Sequence, residues 1–584
     1  RERRSLMESF PDTYEPTIEE DAALGLSQRA KFEILGAIML GLFLGALDQT
    51  IVGPVLPTIV TQLHGADYYT WVVTAYLLTS TVSVPIYGKL SDLWGRKQLL
   101  MGGIVLFLIG SALSGLSQEM WQLVLFRGIQ GLGAGSLFPI SLAVIGDLFT
   151  PAERGKYQGL FGLVFGVSFV IGPLLGGWLT DNLSWNWIFY VNMPVGLIAL
   201  VVIARLLPSI HHAPKDARID YLGVATIVAG LVPILIGFTQ AESVAFSDPS
   251  VWAWLLAGAV FLVVFVFVES RVPQPIIPLH LFRSRTFSAS MVSIFLATFG
   301  FGAAIIFLPL YFQIVEGADP TLSGWKLFPF LIGLIGASIG SGFAVSRTGR
   351  YKAIVVGGLV ILTIGMALMT QLRYTTDDLT LSLWMLIAGV GVGPTFAVFT
   401  IIVQNSVDFH EMGTATSDLT LFRQIGTTIG ITMAFTLFRN NLSWNLLHDR
   451  IVAAGAPPAL VPTTPPAGFD LSQLTSVGGG DPLAFLKQLP AAAQQIFITG
   501  FHDAFTLAIA NSIWLGVGAG AVAAIAALFI HEIPLRKTVS PGAQAMAQHA
   551  AAREASAPAA AATAQSSSQA SSRGSAASRG PAGS

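Results

Sequence analysis

The sequence predicts an all-α polytopic membrane protein, and three observations predict it. Of its 584 residues, 53% are hydrophobic and only 11% charged, less than half the roughly 25% charged residues of soluble domains. Fourteen apolar runs of about 20 residues follow one another, the length that crosses a bilayer as a helix. With fourteen spans, 24 of the 31 Lys and Arg residues fall in loops or tails on the side of both termini, which the positive-inside rule makes cytoplasmic. A net charge of −2 carries no basic excess toward nucleic acid, and the absence of Cys excludes disulfides, thiolate metal sites and a cysteine nucleophile.

In order, the predicted spans are 34–61, 69–88, 98–117, 120–148, 156–180, 185–206, 220–240, 251–270, 286–313, 322–345, 353–372, 379–405, 412–438 and 503–531. Span 1 follows an acidic cytoplasmic leader, 1–33, without a cleavage site of A-x-A type, so it is expected to be retained. Spans 1 to 6, residues 34–206, form one expected bundle. The connector 207–285 brings two further spans, and 286–532 holds a second six-helix bundle. That second bundle includes an extracytoplasmic loop, 439–502, with seven prolines, long enough to be functional or mobile. The tail 533–584 is rich in Ala, Ser, Gln and Gly and too poor in large apolar residues to fold.

The two bundles share a trace of repetition. After span 2 come Gly88, Asp92, Gly95 and Arg96; after span 10 come Gly342, Ser346, Gly349 and Arg350 at the same spacing, 254 residues on. Related halves meeting near the bilayer midplane are how many secondary transporters alternate access.

Several segments together resemble the major facilitator superfamily, and within it the fourteen-helix drug:proton antiporters, the bacterial multidrug and quaternary-ammonium exporters. They are Leu47-Asp48-Gln49-Thr50-Ile51-Val52 with Leu56-Pro57, Gly88 to Lys97, and Arg127-Gly128-Ile129-Gln130-Gly131. Gly172 to Gly177 and Trp185 to Phe189 with Asn192 and Pro194 complete the set. The second half agrees weakly, through the degenerate loop and Arg423-Gln424 with Gly426 and Gly430. Departures are mild: Leu93 replaces a basic residue, Ser168 a glycine, and Gly53 stands where Asn is frequent. The resemblance implies a major facilitator fold of two six-helix bundles with two inserted helices, in a bacterial cytoplasmic membrane. It implies multidrug efflux and antibiotic resistance as the role, with small-molecule substrates and protons as partners, no cofactor and a monomeric state. It also implies a conformational latch at Gly88, Asp92, Gly95, Arg96 and Lys97. An antiporter helix is implied at Gly162, Gly166, Gly172, Pro173, Gly176 and Gly177.

The residues support a mechanism on their own terms. A charge at the bilayer centre costs roughly 2.5 to 3.5 kcal/mol on insertion scales, so it is expected to face a cavity or a partner. Asp48 lies mid-span, and Arg127 and Arg423 sit inside spans 4 and 13. Asp48 is expected to exchange a proton against substrate, with Arg127 as the cation that reorients; whether they touch is open at this stage. Asp418 and Arg423 are five apart, about 140° around a helix, and do not share a face. Gln130, Gln424, Arg423, Asn405 and Asn511, with Gln404, are the candidate cavity groups, although Asn and Gln also serve as interhelical glue.

Gly131-x-Gly133-x-Gly135 has no preceding strand and is no dinucleotide loop, no Walker A motif occurs, and His211-His212 reads as solvated loop rather than a metal site. No catalytic triad stands out, so no enzyme activity is expected. The expectation is a proton-driven exporter of amphipathic, cationic or lipophilic compounds. An exporter of a physiological solute such as a lipid, peptide or amino acid, and a non-transporting membrane sensor, stay open as alternatives.

Overall fold

The computed structural model describes residues 28–65, 68–207, 219–458, 461–464 and 491–535. Most of the leader, His211 and His212, the centre of the proline-rich loop and the tail from 536 lie outside the described residues.

The first half comprises α1 (Gln28–Leu63), α2 (Tyr69–Trp94), α3 (Arg96–Gly115), α4 (Met120–Leu148), α5 (Pro151–Gln158), α6 (Leu160–Asn182), α7 (Trp187–Tyr190) and α8 (Asn192–Leu206). A pair follows, α9 (Tyr221–Ser243) and α10 (Pro249–Glu269). The second half comprises α11 (Arg285–Ile314), α12 (Pro320–Lys326), α13 (Phe328–Thr348), α14 (Lys352–Met369), α15 (Asp378–Ser406), α16 (Met412–Asn441), α17 (Trp444–Ala453) and α18 (Ala491–Ala527).

Among the described residues, 13 helices are long and apolar enough to cross a membrane. The span expected at 69–88 is the exception: α2 has 26 residues but is diluted by Thr74, Thr79, Ser80, Thr81 and Ser83. Those polar groups turn inward; Thr79 Oγ1, for example, donates to the Gly128 carbonyl of α4 at 2.8 Å. With α2 included, the helices are consistent with the fourteen expected, in an all-helical membrane fold.

Each half packs as a bundle: α1 on α6 and α8, α4 on α2 and α3, and in the second half α11 on α16 and α18, α15 on α13 and α14. Between the halves, α16 lies on α2 and α4, while α13 lies on α5 and α6. The pair α9 and α10 packs on itself, and α9 touches α2 and α16. Val263, Leu256 and Phe267 of α10 are exposed, as suits a helix bathed in lipid, where apolar exposure carries no hydrophobic penalty.

Small residues on α6 set how closely its neighbours approach. A Cβ at Gly172 would strike Thr50 of α1, and one at Gly176 the Ile51 carbonyl and Val55; one at Gly162 would strike Ser338 and one at Gly166 Ile335, both of α13. The glycines thus serve two faces, one inside the first half and one between the halves. Gly177 meets nothing within 4 Å, and Pro173, inside α6, lies beside Trp325 of α12.

Candidate functional site

Asp48 sits in α1 with no solvent exposure, and three polar side chains from two other helices donate to it. Arg127 Nη1 of α4 donates to Asp48 Oδ2 at 2.6 Å. Gln130 Nε2, one turn along the same helix, donates to Oδ1 at 2.7 Å. Asn192 Nδ2, at the start of α8, donates to Oδ1 at 3.2 Å and to Ser111 Oγ of α3 at 3.0 Å. Arg127 is held by more than the carboxylate: Nη1 donates to Gln130 Oε1 at 2.8 Å, and its guanidinium lies 4.1 Å from the centre of the Tyr76 ring. The pairing left open by the sequence is therefore made, across 79 positions of chain. Removing both charges from water is tolerable only because the carboxylate and the guanidinium pair with each other and with neighbouring polar groups.

Sequence reasoning missed three members of this cluster as site residues: Asn192, Ser111 and Tyr76. Asn192 was visible as part of a motif, whereas Ser and Tyr in a membrane span carry too little signal to single out.

The second cluster joins the halves. The short link between α2 and α3 turns at Gly95, whose φ of 96° suits glycine. Asp92, in the last turn of α2, accepts from Arg96 Nη1 at 2.6 Å, and Arg96 Nε donates to Asp147 Oδ2 of α4 at 2.9 Å. The same Asp92 accepts from Gly413 N at 3.2 Å, from Thr414 N at 2.8 Å and from Thr414 Oγ1 at 2.8 Å. Gly413 and Thr414 open α16, whose own N-cap Glu411 makes no side-chain cap. Asp92 therefore caps a helix of the other half, putting negative charge on unpaired N–H groups and the positive end of a helix dipole. A side chain at Gly88 would strike Ser417 of α16. Lys97 takes no part in the cap; its Nζ donates to the Ala204 carbonyl of α8 at 2.6 Å.

Gly413 and Thr414 were invisible in the sequence, because only the fold brings them to the hairpin; Asp147 stood as an acid near the end of span 4 and was passed over. Nearby, Gln158 Nε2 donates to Gln404 Oε1 at 2.9 Å, and Ser338 Oγ to the Gly159 carbonyl at 3.1 Å. The halves are sewn together on this hairpin face.

The equivalent loop of the second half does not reproduce the cap. Ser346 stands where Asp92 does, its Oγ is buried without a partner, and Arg350 is exposed. Facing it, α5 is capped by its own residues, with Glu153 accepting from the Thr150 N–H at 3.2 Å.

The remaining candidates scatter. Arg423 of α16 donates from Nη2 to the Thr395 carbonyl of α15 at 3.2 Å and stands 5.1 Å from the Phe396 ring centre; its Nε is buried without a partner, as is Gln424 Oε1. Gln404 belongs to the seam. The Asn405 amide donates to the carbonyls of Ile533 at 3.4 Å and Pro534 at 3.3 Å, just past the last helix. Asn511 lies on the exposed face of α18 that carries Trp514.

Residues 38–431 match the Major Facilitator Superfamily. The chain belongs to that family. It is 35% identical over 532 residues to the multidrug transporter protein MdtP of Bacillus subtilis, covering 89% of this chain and 97% of that one. Multidrug resistance protein 3 of the same organism is 36% identical over 432 residues, covering 74% and 83%. Among solved structures, the proton:xylose symporter XylE shares the fold with a TM-score of 0.57 at 14% identity, covering 89% of this chain and all of that one. The protein is accordingly a multi-pass membrane transporter of the superfamily and not an enzyme.

Proposed function

We propose that this transporter is a proton-driven antiporter that exports amphipathic compounds by alternating access. The observation that carries the reading is the Asp48 carboxylate, fully buried yet held by donors from Arg127, Gln130 and Asn192. Adding a proton there removes the negative charge, dissolves the ion pair and leaves Arg127 with Gln130, the Val72 carbonyl and the Tyr76 and Phe189 rings as neighbours. The Asp48 environment then differs between the two states by a whole charge, which is what an element needs to bias a conformational equilibrium.

Asp48, Arg127, Gln130 and Asn192 all belong to one half, so protonation changes that half without requiring the other to move. The hairpin cap supplies the second ingredient: Asp92 on the α16 N-terminus must let go whenever the seam on that face opens. With the hairpin face cytoplasmic, as the basic residues argue, protons arrive from the opposite face while the seam is closed. Their release inward follows its opening. The identity of the two Bacillus subtilis relatives supports a multidrug cargo.

Dye transport in proteoliposomes under an imposed pH gradient tests the reading. Asp48→Asn is expected to abolish gradient-driven accumulation while dye binding persists. Uphill pumping by Asp48→Asn at the wild-type rate would overturn it.

A further inference from the structure

Arg423 is the anomaly of the second half. Its guanidinium is always charged, the residue is only partly exposed with its Nε buried, and withdrawing such a charge from water is costly unless a partner compensates. Among the described residues no acid pairs with it. Its recorded neighbours are the Thr395 carbonyl at 3.2 Å and the Phe396 ring at 5.1 Å, while Nε points at nothing that accepts a hydrogen bond. Asp418, the nearest acid along α16, does not serve. It lies five residues before Arg423, about 140° around the helix, and both its carboxylate oxygens are buried without a hydrogen-bond partner.

The surroundings say what a partner would look like. Phe396 stands 5.3 Å from Phe165 of α6, and Phe165 stacks on Phe138 of α4 at 5.1 Å. Three rings from three helices thus run from the first half to the second and end on a cation. The row crosses the boundary where the halves part and meet, which is where substrates of such transporters bind. Aromatic faces favour flat apolar cargo, and a guanidinium edge with an unused N–H favours a planar anion.

We infer that Arg423, with Phe396 and Phe165, forms a cargo subsite for aromatic compounds that carry a carboxylate or a comparable anionic group. The inference rests on the transport reading above and narrows it: no acid pairs with the Arg423 guanidinium among the described residues, so a simple cation beside it is disfavoured. The Asp48 and Arg127 pair contributes no net charge to offset it.

Rhodamine B and its methyl ester differ by one carboxylate and provide the probe. Binding of each dye to the purified full chain is read by fluorescence polarisation without any gradient. Wild type is expected to bind the acid more tightly than the ester. Arg423→Gln is expected to weaken the acid by about tenfold or more, the scale of a lost charge-assisted hydrogen bond, and to leave the cationic ester unchanged or more tightly bound, since a repelling charge is gone. Arg423→Lys, which keeps the charge and the fold, is expected to fall between.

Equal affinity of wild type for both dyes, a parallel loss of both in Arg423→Gln, or no binding of the acid at all would each overturn the subsite. The two readings fail separately. A chain that prefers the acid but moves neither dye under a pH gradient refutes the antiporter. A chain that pumps the ester as well as the acid refutes the subsite.

Discussion

Each half of the transporter buries an acid and a base among apolar helices, and the halves treat them differently. In the first half Asp48 meets Arg127 at 2.6 Å, and Asp92, Arg96 and Asp147 form a continuous chain. In the second half Asp418 and Arg423 stand on one helix, face different neighbours, and leave both carboxylate oxygens and the Arg423 Nε without partners. The lesson is that related halves need not carry related chemistry. The first half pairs its buried charges with one another, whereas the second leaves its acid and base without such partners.

The hairpins repeat the contrast. Asp92 reaches across to cap α16, whereas Ser346 at the matching position bonds nothing and leaves α5 to cap itself. The lock on this face is built by one half only.

Mutations can break or sharpen this comparison, and the largest effect is expected at Arg127. Arg127→Gln strands Asp48 as a buried charge, a loss of about 3 to 5 kcal/mol by the general behaviour of such pairs. Thermal unfolding of the purified chain should show it, and adding Asp48→Asn should restore most of the stability. Equal damage in single and double variants would show that the pair matters only as packing.

Removing Asp92 comes next. Asp92→Ala deletes a helix cap, about 0.5 to 2 kcal/mol, from one conformation alone. Because the chain has no Cys, a single Ser417→Cys, at a position with no solvent exposure, reports the seam by thiol labelling. Labelling is expected to rise when Asp92 is replaced and to stay unchanged when Ser346→Ala is introduced instead. A similar rise for both would erase the asymmetry between the hairpins.

Asp418→Asn should be far milder than Arg127→Gln, within about 1 kcal/mol of wild type or above it, since it removes a charge that has no partner to strand. A loss comparable to that of Arg127→Gln, measured by the same unfolding curve, would mean that Asp418 is paired after all. The smallest effects separate the faces of α6. Gly166→Ala meets Ile335 of α13 and should slow transport, while Gly177→Ala, with nothing within 4 Å, should leave the rate alone. Transport rates that fall alike would show that the glycines act through helix flexibility rather than through contact.

How much of this was legible beforehand follows from what a sequence encodes locally. The helices were, because bilayer thickness fixes span length and water excludes charge from the interior. Only α2 was marginal in composition, since its Thr and Ser residues point at α4 and α16 rather than at lipid. Asp48, Arg127 and Gln130 announced themselves as polar residues in apolar runs. Their convergence did not, because the partners come from helices far apart along the chain. Thr414 and Tyr76 had no signal of their own. Asn405 and Asn511 were ambiguous for a physical reason: an amide in a membrane helix can line a path, tie down a neighbouring segment or sit at a surface, and only its neighbours decide.

The central claim is that Asp48 exchanges its proton in step with cargo. Proton release on adding rhodamine B to the purified chain in weakly buffered detergent solution measures this without any gradient or vesicle. The account predicts a burst of released protons for wild type and none for Asp48→Asn, with dye still bound. Equal release from both proteins would contradict it.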